Sequence, residues 1–162
     1  MLVILLRHGP AGEADPDVWP DDSKRPLTSS GRERTQQAVA GIRKILEENV
    51  RAILTSPFAR CAETAKIAAE VLEVKKLDTL EALAPGGSFR KVIQAIPSAR
   101  DGEAVVIVGH EPDLGRLAGM FVSSPQLAMP LRKAGACAIR FDQAVAQGKG
   151  QLEWHLPPRI LR

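Results

Sequence analysis

The 162-residue chain has no tyrosine, two cysteines, three histidines and an aromatic content of only 4%. Each scarcity excludes something. Cys61 and Cys137 cannot supply a disulfide framework, and no Cys-x-x-Cys spacing exists, so a reducing compartment is expected. His8, His110 and His155 include no i, i+4 pair, which argues against a zinc site built on local spacing. No metal or other cofactor is expected. So few aromatics leave little to stack on single-stranded nucleic acid. The apolar start, Met1 to Leu6, is too short for a membrane span. It has no basic residues before it and ends at Arg7, so a signal peptide is not expected either. Charge of one sign is also not concentrated: 22 Lys+Arg face 19 Asp+Glu, with no block of five or six like charges. Neither nucleic acid nor a membrane is the expected partner, and the expected location is cytoplasmic.

What is present suffices for a core. A globule of this length hides roughly 17,000 Å² of the surface its extended chain exposes, and residues 1–162 read as one domain. Three apolar runs, Leu2–Leu6, Ala52–Leu54 with its flanks, and Ala104–Val108, read as buried parallel strands. Helical periods fall between and after them. Ala38, Val39, Ile42, Ile45 and Leu46 share a face of a segment opening near Thr28–Ser30, where Ser30 and Glu33 have capping-box spacing. Ser56-Pro57 predicts an N-cap and first helical residue, followed by Cys61, Ala62, Ala65, Ala68, Ala69 and Leu72 on one face. Further helices are predicted from about Ser88 and Pro112. Cys137, Ile139 and Phe141, then Leu152, Trp154 and Leu156, alternate as half-buried strands of an antiparallel edge. The sum is a three-layer α/β fold, helices on both faces of a mostly parallel sheet with an antiparallel edge. The loop Pro10–Pro26 is long, polar and rich in Asp and Pro, as functional or mobile loops are.

Ligands of open parallel sheets bind beyond the carboxyl ends of the strands. The first strand ends in Arg7-His8-Gly9. The second ends in Thr55-Ser56-Pro57, with Arg60 in the next turn. The strand 104–108 ends in Gly109-His110-Glu111-Pro112. Taken singly, each residue has an ordinary structural explanation. Together they converge on one edge, and clustered like charges repel unless an anion sits among them. A phosphoryl group fits, because arginine matches its oxygens bidentately and a helix start adds N–H donors.

Four stretches then carry a resemblance: Leu5-Leu6-Arg7-His8-Gly9, Arg25-Pro26-Leu27-Thr28-Ser29-Ser30-Gly31, Thr55-Ser56-Pro57-Phe58-Ala59-Arg60-Cys61-Ala62-Glu63-Thr64-Ala65, and Val108-Gly109-His110-Glu111-Pro112. In this order they resemble the histidine phosphatase superfamily, the phosphoglycerate-mutase-like fold. Length and the Arg-Pro-Leu-Thr stretch are similar to its SixA-like phosphohistidine phosphatase branch. The resemblance implies His8 as nucleophile, forming a phosphohistidine intermediate, with Arg7, Arg60 and His110 holding the phosphoryl oxygens. Gly9 would fix the His8 tautomer through its carbonyl and let the backbone turn. Thr64 would support Arg60 or the pocket floor. Glu81 is the candidate proton donor, although the SixA-like pattern places its Glu where this chain has Ala82; Glu111 is a second candidate. Lys24 and Arg25 are candidate contacts to an acidic protein surface. His155 is expected at the surface, and both cysteines in packing.

The implied activity is a metal-independent phosphatase acting on phosphohistidine in a protein. The short spaces between motifs leave little chain for a cap over the site. The other readings are a small-molecule phosphoester phosphatase, a non-catalytic phosphate- or phosphoprotein-binding module, and, less well supported, a mutase. The partner is accordingly a histidine-phosphorylated protein or a small phosphorylated metabolite.

Overall fold

The computed structural model describes residues 1–98, 101–123 and 126–162. Its elements are β1 (Leu2–Arg7), α1 (Ser29–Ile45), β2 (Asn49–Thr55), α2 (Ala59–Leu72), β3 (Leu77–Thr79), α3 (Phe89–Ala95), β4 (Glu103–Gly109), α4 (Asp113–Val122), β5 (Ala136–Arg140), β6 (Gln151–Leu156) and α5 (Pro158–Leu161). Short 3-10 turns occur at Asp22–Lys24 and Glu81–Leu83. The strands form one sheet in the order β3-β2-β4-β1-β5-β6.

The three apolar runs are the sheet's parallel centre. Val, Ile and Leu fill both faces of β1 and β4, so neither alternates. One layer packs α1, α2 and α5 on Leu2, Ile4, Leu6, Ile53, Val106 and Val108. The other packs α3 and α4 on Val3, Leu5, Val105 and Ile107. In α4, Leu114, Leu117 and Phe121 fall at helical spacing on one buried face, and each contributes about 2 kcal/mol by leaving water.

The C-terminal strands differ from the half-buried expectation. β5 is covered on both faces: Cys137 and Ile139 belong to the α3–α4 layer, Ala136 and Ala138 to the other. The alternation there separates large residues from small ones, not buried from exposed. The pair β5–β6 is antiparallel as expected, but its register shifts between Ala138 and Ile139. The extra residue breaks period 2, so Leu152 does not share the face of Trp154 and is 45% exposed.

Two caps also move. The cap of α1 is Thr28, whose Oγ1 accepts from Gly31 N at 2.9 Å, not Ser30. Helix α2 starts at Ala59 with Phe58 as cap. Ser56 cannot serve, because its N–H still donates to Val108 O at 3.1 Å and extends the sheet. The 10–26 loop is closed at its base by an Ala11–Leu27 bridge and by Thr28 N donating to Pro10 O. Trp19 in that loop is half-buried. Among the described residues, no helix is long and apolar enough to cross a membrane.

Candidate active site

Strand register builds the site. Arg7 pairs with Gly109, and Thr55 pairs with Val108. The residues that follow, His8, His110 and Ser56, therefore leave three adjacent parallel strands at the same level. His8 N donates to Gly109 O at 3.1 Å, which holds the two histidine-bearing ends in line. The imidazole centroids of His8 and His110 lie 5.3 Å apart. Arg60 arrives from the first turn of α2. All three side chains are buried, at 6%, 4% and 5% exposure for His8, His110 and Arg60. Arg7, half-buried, donates from Nη1 to Leu131 O at 2.8 Å. The four motif residues thus come together.

His8 Nδ1 lies 2.8 Å from Gly9 O. A carbonyl can only accept, so Nδ1 carries the proton and Nε2 keeps its lone pair. Burial pushes the pKa of His8 down to about 3; the Gly9 bond opposes this, while His110, Arg60 and Arg7 lower it further. His110 is pushed down to about 4, first by burial and then by Arg60, against the carboxylates of Asp113 and Asp22. Both rings are neutral near pH 7. Ser56 Oγ lies 2.9 Å from His110 Nε2 and accepts from Phe58 N at 3.3 Å. Its own proton and its second lone pair both remain available to Nε2, so either neutral tautomer of His110 satisfies this contact. Arg7 Nε and Arg60 Nε are buried donors with no hydrogen-bond partner among the described residues.

Gly9 is needed for a reason other than turning. Positive φ occurs at Gly86, Gly102 and Gly148, not at Gly9. A Cβ at Gly9 would instead stand 2.0 Å from Thr35 Oγ1. Any side chain there pushes β1 off α1 and moves His8. Thr64 has the supporting place expected of it: its Oγ1 donates to Arg60 O at 2.7 Å and accepts from Gly9 N at 3.0 Å. One hydroxyl thus ties the arginine's turn to the histidine's strand end.

The remaining sequence candidates lie elsewhere. Glu81 is exposed on its 3-10 turn, whereas its neighbour Ala82 lines a pocket of about 10 Å³ beside His110 and Asp113. Glu111 Oε1 accepts from Leu131 N at 3.0 Å, so it holds the loop that in turn receives Arg7. Lys24 pairs with Asp21 at 3.6 Å. Arg25 donates to Asp22 Oδ1 at 2.7 Å and to Gly12 O at 2.6 Å, which makes it a pin of its own loop. The Cys61 and Cys137 thiols are pushed up to about 12 by burial, as packing residues are. His155 is half-buried, and its Nε2 is a buried atom without a hydrogen-bond partner among the described residues, so it is not the surface residue expected.

Three neighbours of the site escape sequence reasoning. Asp22 Oδ2 is 3.0 Å from Arg60 Nη2, and Arg60 Nη1 donates to Asp22 O at 2.9 Å. Phe58 packs edge-on against His110 at 5.0 Å and lies under the Arg60 guanidinium at 5.0 Å. Asp113 accepts from Gly86 N at 2.7 Å beside His110. None has a spacing signal, because each meets the site through a loop or a helix start.

Known proteins share this fold. The chain is 32% identical over 154 residues to an uncharacterized protein of Picosynechococcus, covering 91% of this chain and 89% of that one. Superposition on the protein histidine phosphatase SixA, solved with tungstate, gives a TM-score of 0.80 at 22% identity over the full length of both chains. A phosphoserine phosphatase of Entamoeba histolytica, solved with 3-phosphoglyceric acid, gives 0.64 at 15% identity over 99% of both. Residues 3–85, more than half of the chain and the span that contributes Arg7, His8 and Arg60, match the histidine phosphatase superfamily (branch 1), and it is to this superfamily that the chain belongs.

Proposed function

We propose that the chain is a phosphatase whose His8 takes the phosphoryl group from phosphohistidine in a protein. The observation that carries the reading is the His8 tautomer: Nδ1 is committed to Gly9 O, which leaves the Nε2 lone pair free beside two arginines and a neutral histidine. In the first step Nε2 attacks phosphorus in line, the bond from phosphorus to the leaving nitrogen breaks, and that nitrogen keeps the electron pair, so that a substrate ring protonated on its other nitrogen departs as neutral imidazole. In the second step water attacks phosphorus, the His8–phosphorus bond breaks with its electron pair returning to Nε2, and the product leaves as phosphate carrying the protons of the water. Arg7 and Arg60 oppose the equatorial charge, and their unpartnered Nε–H groups are donors already stripped of water. His110, neutral beside His8, adds a hydrogen-bonding ring without carrying a charge of its own.

The substrate class follows from the acid. Glu81 is exposed, and Arg25, with the charge of Arg60 behind it, holds the Asp22 carboxyl below its usual range. Neither is a placed, protonated donor. Phosphohistidine protonated on its other ring nitrogen leaves without one; the alkoxide of an alkyl phosphoester does not. Turnover of a phosphohistidine peptide is therefore expected to exceed that of a phosphoserine peptide by at least about a hundredfold. Glu81→Gln should leave both rates within about twofold. A phosphoester rate that is the larger of the two and collapses in Glu81→Gln would defeat the reading.

Asp22 gives a second expectation. It shares the Arg60 guanidinium that the phosphoryl oxygens would use, so an oxoanion binds against its charge. Asp22→Asn is expected to tighten tungstate inhibition by about three- to tenfold. Unchanged or weaker inhibition would mean that Asp22 holds Arg60 in place more than it competes for it.

A further inference from the structure

The charges around the site are not evenly matched. On the 10–26 side the cations are compensated within the loop: Lys24 by Asp21, Arg25 and Arg60 by Asp22. Glu13, Asp15 and Asp17 add exposed negative charge there. The opposite side differs. Leu6 pairs with Ala136, and Ala136 with Leu156, so the turn after β6 emerges on the same edge as His8. Two strand spacings separate them, about 10 Å.

Two segments meet at that place. Residues 131–135 are fastened to the nucleophile's own strand end. Arg7 N donates to Gly135 O at 3.1 Å, and Ala134 N donates to Arg7 O and His8 O at 3.2 and 3.1 Å. Arg7 Nη1 and the Glu111 carboxylate hold the two polar atoms of Leu131. Ala134 is kept at φ 59°, a left-handed conformation that alanine avoids unless its surroundings impose it. This tied backbone presents Arg132 and Lys133 exposed. The second segment is Pro157-Pro158-Arg159, two rigid residues followed by an exposed cation. Arg132, Pro157, Pro158 and Arg159 line one cleft of about 340 Å³. Among the described residues, Arg132, Lys133 and Arg159 make no ion pair.

We infer that Arg132, Lys133 and Arg159 form a docking platform for an acidic segment of the phosphoprotein substrate. The inference rests on the protein-phosphohistidine reading and names what that protein must bring. The 10 Å offset corresponds to about three extended residues, so the acidic side chains lie about three to five positions from the phosphohistidine. The platform also moves the acidic contact expected of Lys24 and Arg25 to the other side of the site, where the cations are uncompensated.

The test uses two phosphohistidine peptides of equal length, one with glutamates and one with lysines at those positions on both sides. At low salt the acidic peptide is expected to have about tenfold higher kcat/KM, all of it in KM. The preference should shrink to within about twofold near 0.5 M salt. In Arg132→Glu/Lys133→Glu/Arg159→Glu it should reverse with kcat unaltered. Hydrolysis of phosphoramidate itself reports whether the variant is folded; the single variant Arg159→Glu, expected to lose about two- to threefold of the preference, serves if the triple one is not. Equal kcat/KM for the two peptides, or an unaltered preference in the variants, overturns the platform and leaves the phosphohistidine reading intact. Hydrolysis of phosphoesters with no turnover of either peptide overturns that reading instead. A 5′-phosphorylated oligonucleotide whose turnover carries the dependence on the three cations would overturn the acidic protein in favour of nucleic acid.

Discussion

His8→Ala is expected to lower turnover of a phosphohistidine peptide by at least about a thousandfold and to abolish phosphoenzyme formation. The neighbouring thiol and hydroxyl cannot substitute. Cys61 lies 3.4 Å from His110 Nε2, but its thiol is pushed up to about 12 and supplies almost no thiolate at neutral pH. The Ser56 hydroxyl is already between His110 and Phe58 N. His110 is spent differently, with Nε2 on Ser56, so His110→Ala should weaken charge stabilisation by about a hundredfold yet still allow acid-labile phosphate to form on His8. Quench-flow with a ³²P-labelled donor, followed by acid and alkali treatment of the labelled protein, distinguishes the two. Label that is acid-labile and persists in His8→Ala, or full activity in that variant, would remove His8 as the nucleophile. The substitution should not unfold the chain. His8 is buried at a charged strand end, and the apolar layers on both faces of β1 do not include it.

How far the sequence could be read follows from where each signal lives. The strand ends Arg7-His8 and Gly109-His110 were legible because parallel register aligns residues that follow buried apolar runs. Arg60 was legible because helix α2 begins a fixed few residues beyond β2. β3 was not, because three residues with one apolar side chain carry no period. Ser56 has the sequence pattern of a cap and is instead a partner of His110, since a serine at a strand–helix junction satisfies either pattern. The exposure of Leu152 depends on a bulge, which shifts the period by one residue without any local mark in composition. Asp22 shows the limit most clearly. Its loop was flagged by length and polarity, but the contact with Arg60 spans 38 positions of sequence and closes only when the base of the loop is pinned at Ala11 and Leu27. The Ala82 position carries the converse lesson. The missing carboxylate was visible in the sequence, and Ala82 lies beside His110 in the structure.

Acid should destabilise this fold well above the pH at which carboxylates titrate. His8 and His110 have folded pKa values of about 3 and about 4, while an unfolded histidine titrates near 6.5. Between those limits the unfolded chain binds more protons than the folded one, so stability falls as pH falls. The stability in question is fully present above about pH 7 and is lost progressively from about pH 6.5 downward. At pH 5 both folded rings are still neutral, and each unfolded imidazole has gained its proton, so each pair of states differs by about 2 kcal/mol relative to pH 8. Two rings give about 4 kcal/mol, a large share of the stability of a domain of this size. The Asp22 carboxyl, held below its usual range, adds nothing until the pH is lower still. Urea unfolding at pH 8 and pH 5 measures the loss, and His8→Ala/His110→Ala should remove most of it, so that the double variant approaches or exceeds the wild type at pH 5. A fall of less than about 1 kcal/mol in the wild type, or an equal fall in the double variant, would show that the rings are not held neutral. Activity should separate from stability in the same window. The Nε2 lone pair survives at pH 5, so kcat/KM for a phosphohistidine peptide, measured within the folded population, should show no acid limb near pH 6.5. Such a limb would mean that His8 is protonated where burial and the surrounding arginines forbid it.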